Sequence, residues 1–106
     1  MNSEVLILYS RKECCLCQTL EKKLSKICLE KLHPSIVLSI VDIDSNKVSL
    51  DIQMKYTNQV PVIVLESTRL LKKIELPRVP PRLKDDMLLF WIQKNLNILY
   101  LSLIHI

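Results

Sequence analysis

Not one glycine occurs among the 106 residues. Glycine is the residue that enters left-handed backbone conformations without penalty, so every turn must be built from Asn, Asp, Ser or Pro. The glycine-rich loops that cradle phosphates and the glycine fingerprint of dinucleotide-binding folds are thereby excluded. Aromatic residues are scarce: one Trp, three Tyr and one Phe. The lysines and arginines are scattered rather than massed on one segment. A nucleic-acid surface combines clustered basic residues with interleaved aromatics, so the formal charge of +4 reads as a solvated surface with a mild preference for anionic partners and not as a nucleic-acid site. No apolar run approaches the roughly 20 residues that a membrane span requires. Met1-Asn2-Ser3-Glu4 offers no basic stretch and no small-residue cleavage site, so no secretory signal is expected and the cytoplasm is the expected compartment.

What the chain does have is cysteine in an unusual place. Four cysteines fall between residues 14 and 28, three of them in Arg11-Lys12-Glu13-Cys14-Cys15-Leu16-Cys17. They lie too close in sequence to staple distant parts of a fold, and a chain of this length buries one core without such staples. Catalysis or metal binding is the expected use. An apolar share of 49% with 25% charged residues is that of an ordinary globular domain, here taken as a monomer.

Taken in order, Val5 to Tyr9 is a continuous apolar run of strand length, the pattern of a central strand buried on both faces. From Cys14 the spacing turns helical, with Leu16, Leu20, Leu24, Ile27 and Cys28 forming one apolar stripe and Cys28 expected in the core. His33-Pro34 is expected to end that helix. Ile36 to Ile43 reads as a second strand, which a helical crossover makes parallel to the first. Asp44 or Ser45 is a candidate cap for a short helix carrying Val48, Ile52 and Tyr56. Val60 to Leu65 reads as a third strand with Pro61 at its beginning, and Leu70 to Leu76 as a fourth, joined to the third as an antiparallel hairpin with Lys72 and Lys73 on an exposed edge. After the stiff connector Pro77-Arg78-Val79-Pro80-Pro81, a last helix carries Leu83, Met87 and Trp91 and, offset from them, Leu88, Ile92 and Asn95, with Trp91 expected in the core. The order is β-α-β-α-β-β-α, an α/β domain over residues 1–96. Residues 97–106 form an apolar tail, expected as an extra strand or a loose end. Its last six residues, Leu101-Ser102-Leu103-Ile104-His105-Ile106, also match what a transposon-derived sequencing adaptor encodes in one frame, so a non-native origin is a second expectation for them.

The spacing of Cys14 and Cys17 is that of a redox pair. Thiol-disulfide exchange needs a thiolate that attacks and a second thiol that resolves the mixed disulfide. At a strand-to-helix junction, unpaired backbone N–H groups and the helix dipole favour the anion at Cys14. Arg11 and Lys12 add positive charge, which Glu13 partly opposes. Cys17 is nearly one turn further on and can bridge, whereas Cys15 points about 100° around the helix and is read as a bystander. Cys14 is thus the nucleophile and Cys17 the resolving thiol.

With Leu8-Tyr9-Ser10-Arg11 leading into Cys14-Cys15-Leu16-Cys17, then Val41-Asp42-Ile43-Asp44, and then Tyr56 followed by Gln59-Val60-Pro61-Val62, residues 4–96 resemble the glutaredoxin-like family of the thioredoxin superfamily, in particular its short bacterial members. The resemblance implies a thioredoxin fold with a four-stranded mixed sheet and helices on both faces. It further implies a cis peptide bond before Pro61 close to the cysteine pair, with the Val60 backbone offered to an incoming strand or to glutathione. Arg11 would take the substrate-side place where relatives often carry lysine. The chain departs from that pattern where glutathione-binding relatives carry a Gly-Gly pair after the fourth strand, since it reads Leu76-Pro77-Arg78-Val79-Pro80-Pro81-Arg82 there. A tyrosine often found between the two cysteines is also replaced, by Cys15-Leu16.

The expected function is therefore a thiol-disulfide oxidoreductase acting on protein or low-molecular-weight disulfides. Glutathione is a candidate co-substrate, and no tightly bound cofactor or metal is expected. Two other readings stay open. One is a thioredoxin-fold interaction domain whose cysteines do not cycle. The other is a metal-binding module built from Cys14, Cys15 and Cys17 with Cys28 or His33, although zinc modules usually supply a second paired motif.

Overall fold

In the computed structural model the first strand, β1 (Glu4–Ser10), is the apolar run extended by one residue at each end. The structure describes residues 4–27, 29–32, 35–67, 71–80 and 83–104. β1 pairs in parallel with β2 (Ile36–Asp42) from Glu4 opposite Ile36 to Ser10 opposite Asp42. On its other edge it runs antiparallel to β3 (Val62–Ser67), with Tyr9 opposite Val62. β4 (Lys72–Glu75) closes the hairpin with β3, giving the sheet order β2-β1-β3-β4. The fold is α/β with a mixed four-stranded sheet, as the alternation of elements in the sequence implies.

Because side chains alternate along a strand, β1 feeds two cores. Leu6 and Leu8 pack with Leu20 and Leu24 of helix α1 (Cys15–Lys26) and with Leu88, Ile92 and Leu96 of helix α3 (Asp85–Ile104). Ile7 and Tyr9 face the opposite way, toward Tyr56 of helix α2 (Leu50–Tyr56) and partly buried Ile52. The Tyr9 and Tyr56 rings stack at 5.3 Å, and the Tyr56 hydroxyl donates to Glu75 (3.2 Å). Each fully buried Leu or Ile contributes about 1.5–3 kcal/mol relative to exposure, so these two layers hold the helices to the sheet.

The helices depart from the sequence pattern in four places. The buried stripe of α1 is Cys17, Leu20 and Leu24, while Leu16 is 57% exposed. Positions three and four before Leu20 are both compatible with its face, and Cys17 takes the inward one. Second, α1 stops at Lys26, not at His33-Pro34: Ile27 is extended and a 3₁₀ turn spans Leu29–Lys31. Leaving the helix there brings Leu29 and Leu32 into the core. Cys28, His33 and Pro34 lie outside the described residues, as do Pro81 and Arg82. Third, α2 is capped by Ser49, whose hydroxyl accepts from Ile52 N–H (3.4 Å). Asp42 and Ser45 instead organise a turn in which Asp42 accepts from the N–H groups of Asp44 and Ser45.

The fourth departure is α3. Its fully buried positions are Leu88 and Ile92 of the offset set, joined by Leu96, whereas Trp91 is half-buried beside them and Met87 is half-exposed. Side chains without polar atoms take the deepest places, and the large indole stays at the flank. The helix also continues past residue 96 to Ile104, in place of the extra strand or loose end expected of the tail. No proline or glycine interrupts it, and Leu99 and Tyr100 still reach the core. Among the described residues no helix is long and apolar enough to cross a membrane.

Among the described residues the missing glycine has one visible consequence. Leu71, entering β4, has φ of 53° and is 88% exposed. A β-carbon in the left-handed region costs about 1–2 kcal/mol, partly recovered when glycine replaces it because glycine loses more entropy on folding. Leu71→Gly is expected to raise stability by about 0.5–1 kcal/mol, measured as a higher urea midpoint with an unchanged slope; a lower midpoint would contradict this.

Candidate active site at the end of the central strand

β1 ends at Ser10, and the residues after it collect parts from across the fold. The Ser10 carbonyl accepts from Ile43 N–H (2.9 Å), which ties the exit of β1 to the exit of β2. Lys12 and Glu13 form an exposed turn, closed by Cys14 N–H donating to the Arg11 carbonyl (3.1 Å). Cys14 is the N-cap of α1, with extended backbone (φ −94°, ψ 111°). Its carbonyl accepts from Gln18 N–H (3.1 Å), and the Gln18 side chain donates back to the Lys12 carbonyl.

The cysteine sulfur does the work a serine or aspartate usually does at this position. Cys17 N–H donates to Cys14 Sγ (3.2 Å), a bond that a thiolate accepts better than a thiol. No acidic residue occupies the first turn of α1, so the positive end of the helix dipole there is not cancelled from within the helix.

The three described cysteines are free and differ in environment. Cys15 is exposed, Cys14 is half-buried and Cys17 is fully buried. Burial pushes the Cys17 thiol up to about 11, reinforced by its hydrogen bond to Cys14 and opposed by the backbone and charge of Arg11. The spacing thus brings Cys14 and Cys17 together, one open to solvent and one protonated beneath it. Among the described residues no group of three His, Cys, Asp or Glu side chains is arranged to hold a metal ion.

Arg11 stands where the sequence reading puts a substrate contact, but its guanidinium is occupied within the protein. Nε and Nη2 donate to the two Asp44 carboxylate oxygens (2.9 and 3.1 Å), the bidentate geometry that suits a planar guanidinium. Nη1 and Nη2 also donate to the carbonyl and hydroxyl of Thr57, both at 3.0 Å. Arg11 therefore clamps the β1–α1 turn to the β2–α2 turn and to the end of α2. The sequence carried no local sign of Thr57, because the contact spans 46 residues.

From Thr57 the chain turns back toward the cysteines. The Tyr56 carbonyl accepts from Gln59 N–H (2.9 Å) and Val60 N–H (3.2 Å), and the Val60–Pro61 peptide bond is cis. Val60 and Pro61 are both half-buried. Since Val62 pairs with Tyr9, register alone carries Pro61 alongside the start of the Ser10–Cys14 turn. With its N–H engaged, the backbone group Val60 has left for another strand is its carbonyl.

Two outcomes follow for Cys17. In the reduced native protein, iodoacetamide at pH 7 is expected to label Cys14 and Cys15 and to spare Cys17 until urea is added, read by peptide mass mapping. A thiol whose folded pKa lies above its ordinary value near 9 keeps its proton in the native state after the unfolded chain has lost it, so its contribution is present below pH 9 and declines toward pH 11. The unfolding free energy of the reduced protein, read from urea titrations, should fall more between pH 8.5 and 10.5 than that of Cys17→Ala, by on the order of 1 kcal/mol; parallel curves would contradict the assignment.

Comparison with known proteins agrees with this geometry. A solved structure described as the structure of a malarial protein matches with a TM-score of 0.58 at 24% identity, over 90% of this chain and 99% of its own, a likeness of fold. No curated protein matches the chain. A family model described as "Glutaredoxin-like domain (DUF836)" matches residues 5–93, from the second residue of β1 through most of the buried face of α3 and across the whole Cys14 to Pro61 constellation, so the chain belongs to that glutaredoxin-like family.

Proposed function

We propose that the protein is a thiol-disulfide oxidoreductase in which Cys14 attacks and Cys17 resolves. The observation that carries this reading is the division of labour between the two sulfurs: Cys14 is accessible and accepts the Cys17 N–H, while Cys17 is buried and holds its proton. An attacking thiolate and a protonated partner, each held within one helical turn, are what sequential exchange needs.

The reaction balances as follows. The Cys14 thiolate attacks one sulfur of a substrate disulfide, forming a mixed disulfide and expelling the other sulfur as a thiolate that takes up a proton. Cys17 then gives up its proton and attacks Cys14 Sγ, forming the Cys14–Cys17 disulfide and releasing the second substrate sulfur. Two electrons pass from the cysteine pair to the substrate, whose S–S bond is broken. Two equivalents of a low-molecular-weight thiol, with glutathione the candidate, restore the dithiol: the first attacks Cys14 Sγ and expels Cys17, and the second releases Cys14 and leaves with the first as their own disulfide. The high pKa of Cys17 makes its deprotonation the step that base accelerates, so resolution of the mixed disulfide should quicken as pH rises toward 9.

The Val60 carbonyl, beside the cis bond to Pro61, is the group that would meet a substrate backbone. Arg11 contributes by holding that loop and the cysteine turn in one frame. The reading takes the protein as a monomer in a reducing compartment such as the cytoplasm, where a cycling pair is kept reduced.

The test is exchange with a fluorescent mixed-disulfide substrate at neutral pH. Cys14→Ser is expected to lower the rate to the uncatalysed background. Cys17→Ser should still form the mixed disulfide at Cys14 but accumulate it, visible by mass, and Cys15→Ser should retain exchange within a few-fold. If the wild-type protein shows no exchange above background, the non-cycling interaction domain is the correct reading.

A further inference from the structure

Beside the cysteine pair lies a hollow that the exchange reaction by itself does not need. It has a volume of about 430 Å³, within the range of ligand-binding clefts. Leu16 and Leu20 of α1 form one wall, Val79, Pro80 and Leu83 of the β4–α3 connector form another, and Pro61 lies at the end nearest the site. Leu16 sits between the two reacting cysteines in sequence and is 57% exposed, so the hollow begins within the motif itself.

Its charges are of one sign. Lys23 and Arg78 are the charged residues on its lining, and no carboxylate is among them. Lys23 is fixed there, its Nζ donating to the Leu83 carbonyl (2.8 Å), which also ties the two walls together. Arg78 is exposed at the rim. Pro80 of the connector and Pro61 have no N–H to offer a ligand carboxylate and little conformational entropy to lose on contact. A small, highly polar thiol peptide such as glutathione would leave these apolar walls facing water.

We propose, on the basis of the oxidoreductase reading above, that the hollow receives a bulky apolar side chain adjacent to the disulfide-bonded cysteine of a polypeptide substrate, with an acidic residue of that polypeptide reaching Arg78. The substrate class is then a protein disulfide in an apolar, acidic sequence context. Seating that side chain against Leu16 and Pro61 brings the neighbouring sulfur to Cys14, so the anchor contributes to positioning as well as affinity.

The experiment compares two synthetic peptides joined to a reporter thiol through a disulfide. One carries Phe next to the cysteine and Glu beyond it; the other carries Ser in both places. A well-fitted apolar pocket discriminates by about 10- to 200-fold, so kcat/KM for the Phe-Glu peptide should exceed that for the Ser peptide by at least about 10-fold. Thr19→Phe, which fills the hollow from an exposed position on α1, should bring that ratio close to one, and Arg78→Glu should reduce it. In parallel, binding of a Phe-Glu peptide with Ser in place of cysteine is measured by calorimetry, where Thr19→Phe should weaken it.

Equal rates for the two peptides, or a faster reaction with the glutathione mixed disulfide than with the Phe-Glu peptide, would overturn the proposal. Calorimetric binding that weakens as protein concentration rises would give the hollow to a second copy of the chain and overturn it as well. Absence of exchange with every disulfide, alongside peptide binding that Thr19→Phe abolishes, would remove the redox reading while supporting the assignment of the hollow.

Discussion

Everything in this molecule is referred to one constraint: β1 has a paired strand on each edge and a packed core on each face. A strand so enclosed cannot shift by one residue without turning Leu6 and Leu8 into the space of Ile7 and Tyr9. Its register is therefore rigid, and so is the place where it ends. Ser10 is fixed opposite Asp42, and Tyr9 opposite Val62. Whatever follows those three strand ends is brought to one corner of the fold. The Arg11–Cys14 turn, Asp44 and Pro61 are what follow or precede them.

Within that corner, two kinds of contact set the chemistry. The helix start supplies a backbone N–H to Cys14 Sγ, and burial under the same turn keeps Cys17 protonated. Neither depends on a distant charged group. Arg11 acts at longer range, through a bidentate pair with Asp44 and two bonds to Thr57. The ion pair is partly exposed, so its direct contribution to stability is small. Its consequence is geometric: three turns that approach from different strands are held in one arrangement around the cysteines.

Much of this was legible in the sequence because it is encoded locally. The run Val5–Tyr9, the change from strand to helical spacing at Cys14, the short hairpin before Lys72 and the proline at the head of the third strand each announce an element. Their order is sufficient for the topology. Less legible were choices that only tertiary packing decides. Leu16 and Cys17 are equally good candidates for the inner face of α1, and the structure buries the cysteine. Leu88, Ile92 and Leu96 displace Trp91 from the deepest position by the same kind of competition. Nothing local signals the stop at Lys26, which lets Leu29 and Leu32 reach the core, or the attachment of Arg11 to Thr57. The left-handed Leu71 could not be foreseen either, since a chain without glycine marks no position as requiring positive φ.

The account rests on Cys14 and Cys17 forming a reversible two-electron couple. The direct measurement is a redox titration in graded glutathione buffers, with the cysteines trapped by alkylation and each state mapped by mass. The account predicts a single transition of about 30 mV per tenfold change, in which Cys14 and Cys17 become joined and Cys15 remains alkylatable. A product in which Cys17 stays a thiol at every potential, with glutathione attached to Cys14 alone or a disulfide formed through Cys15, would contradict it.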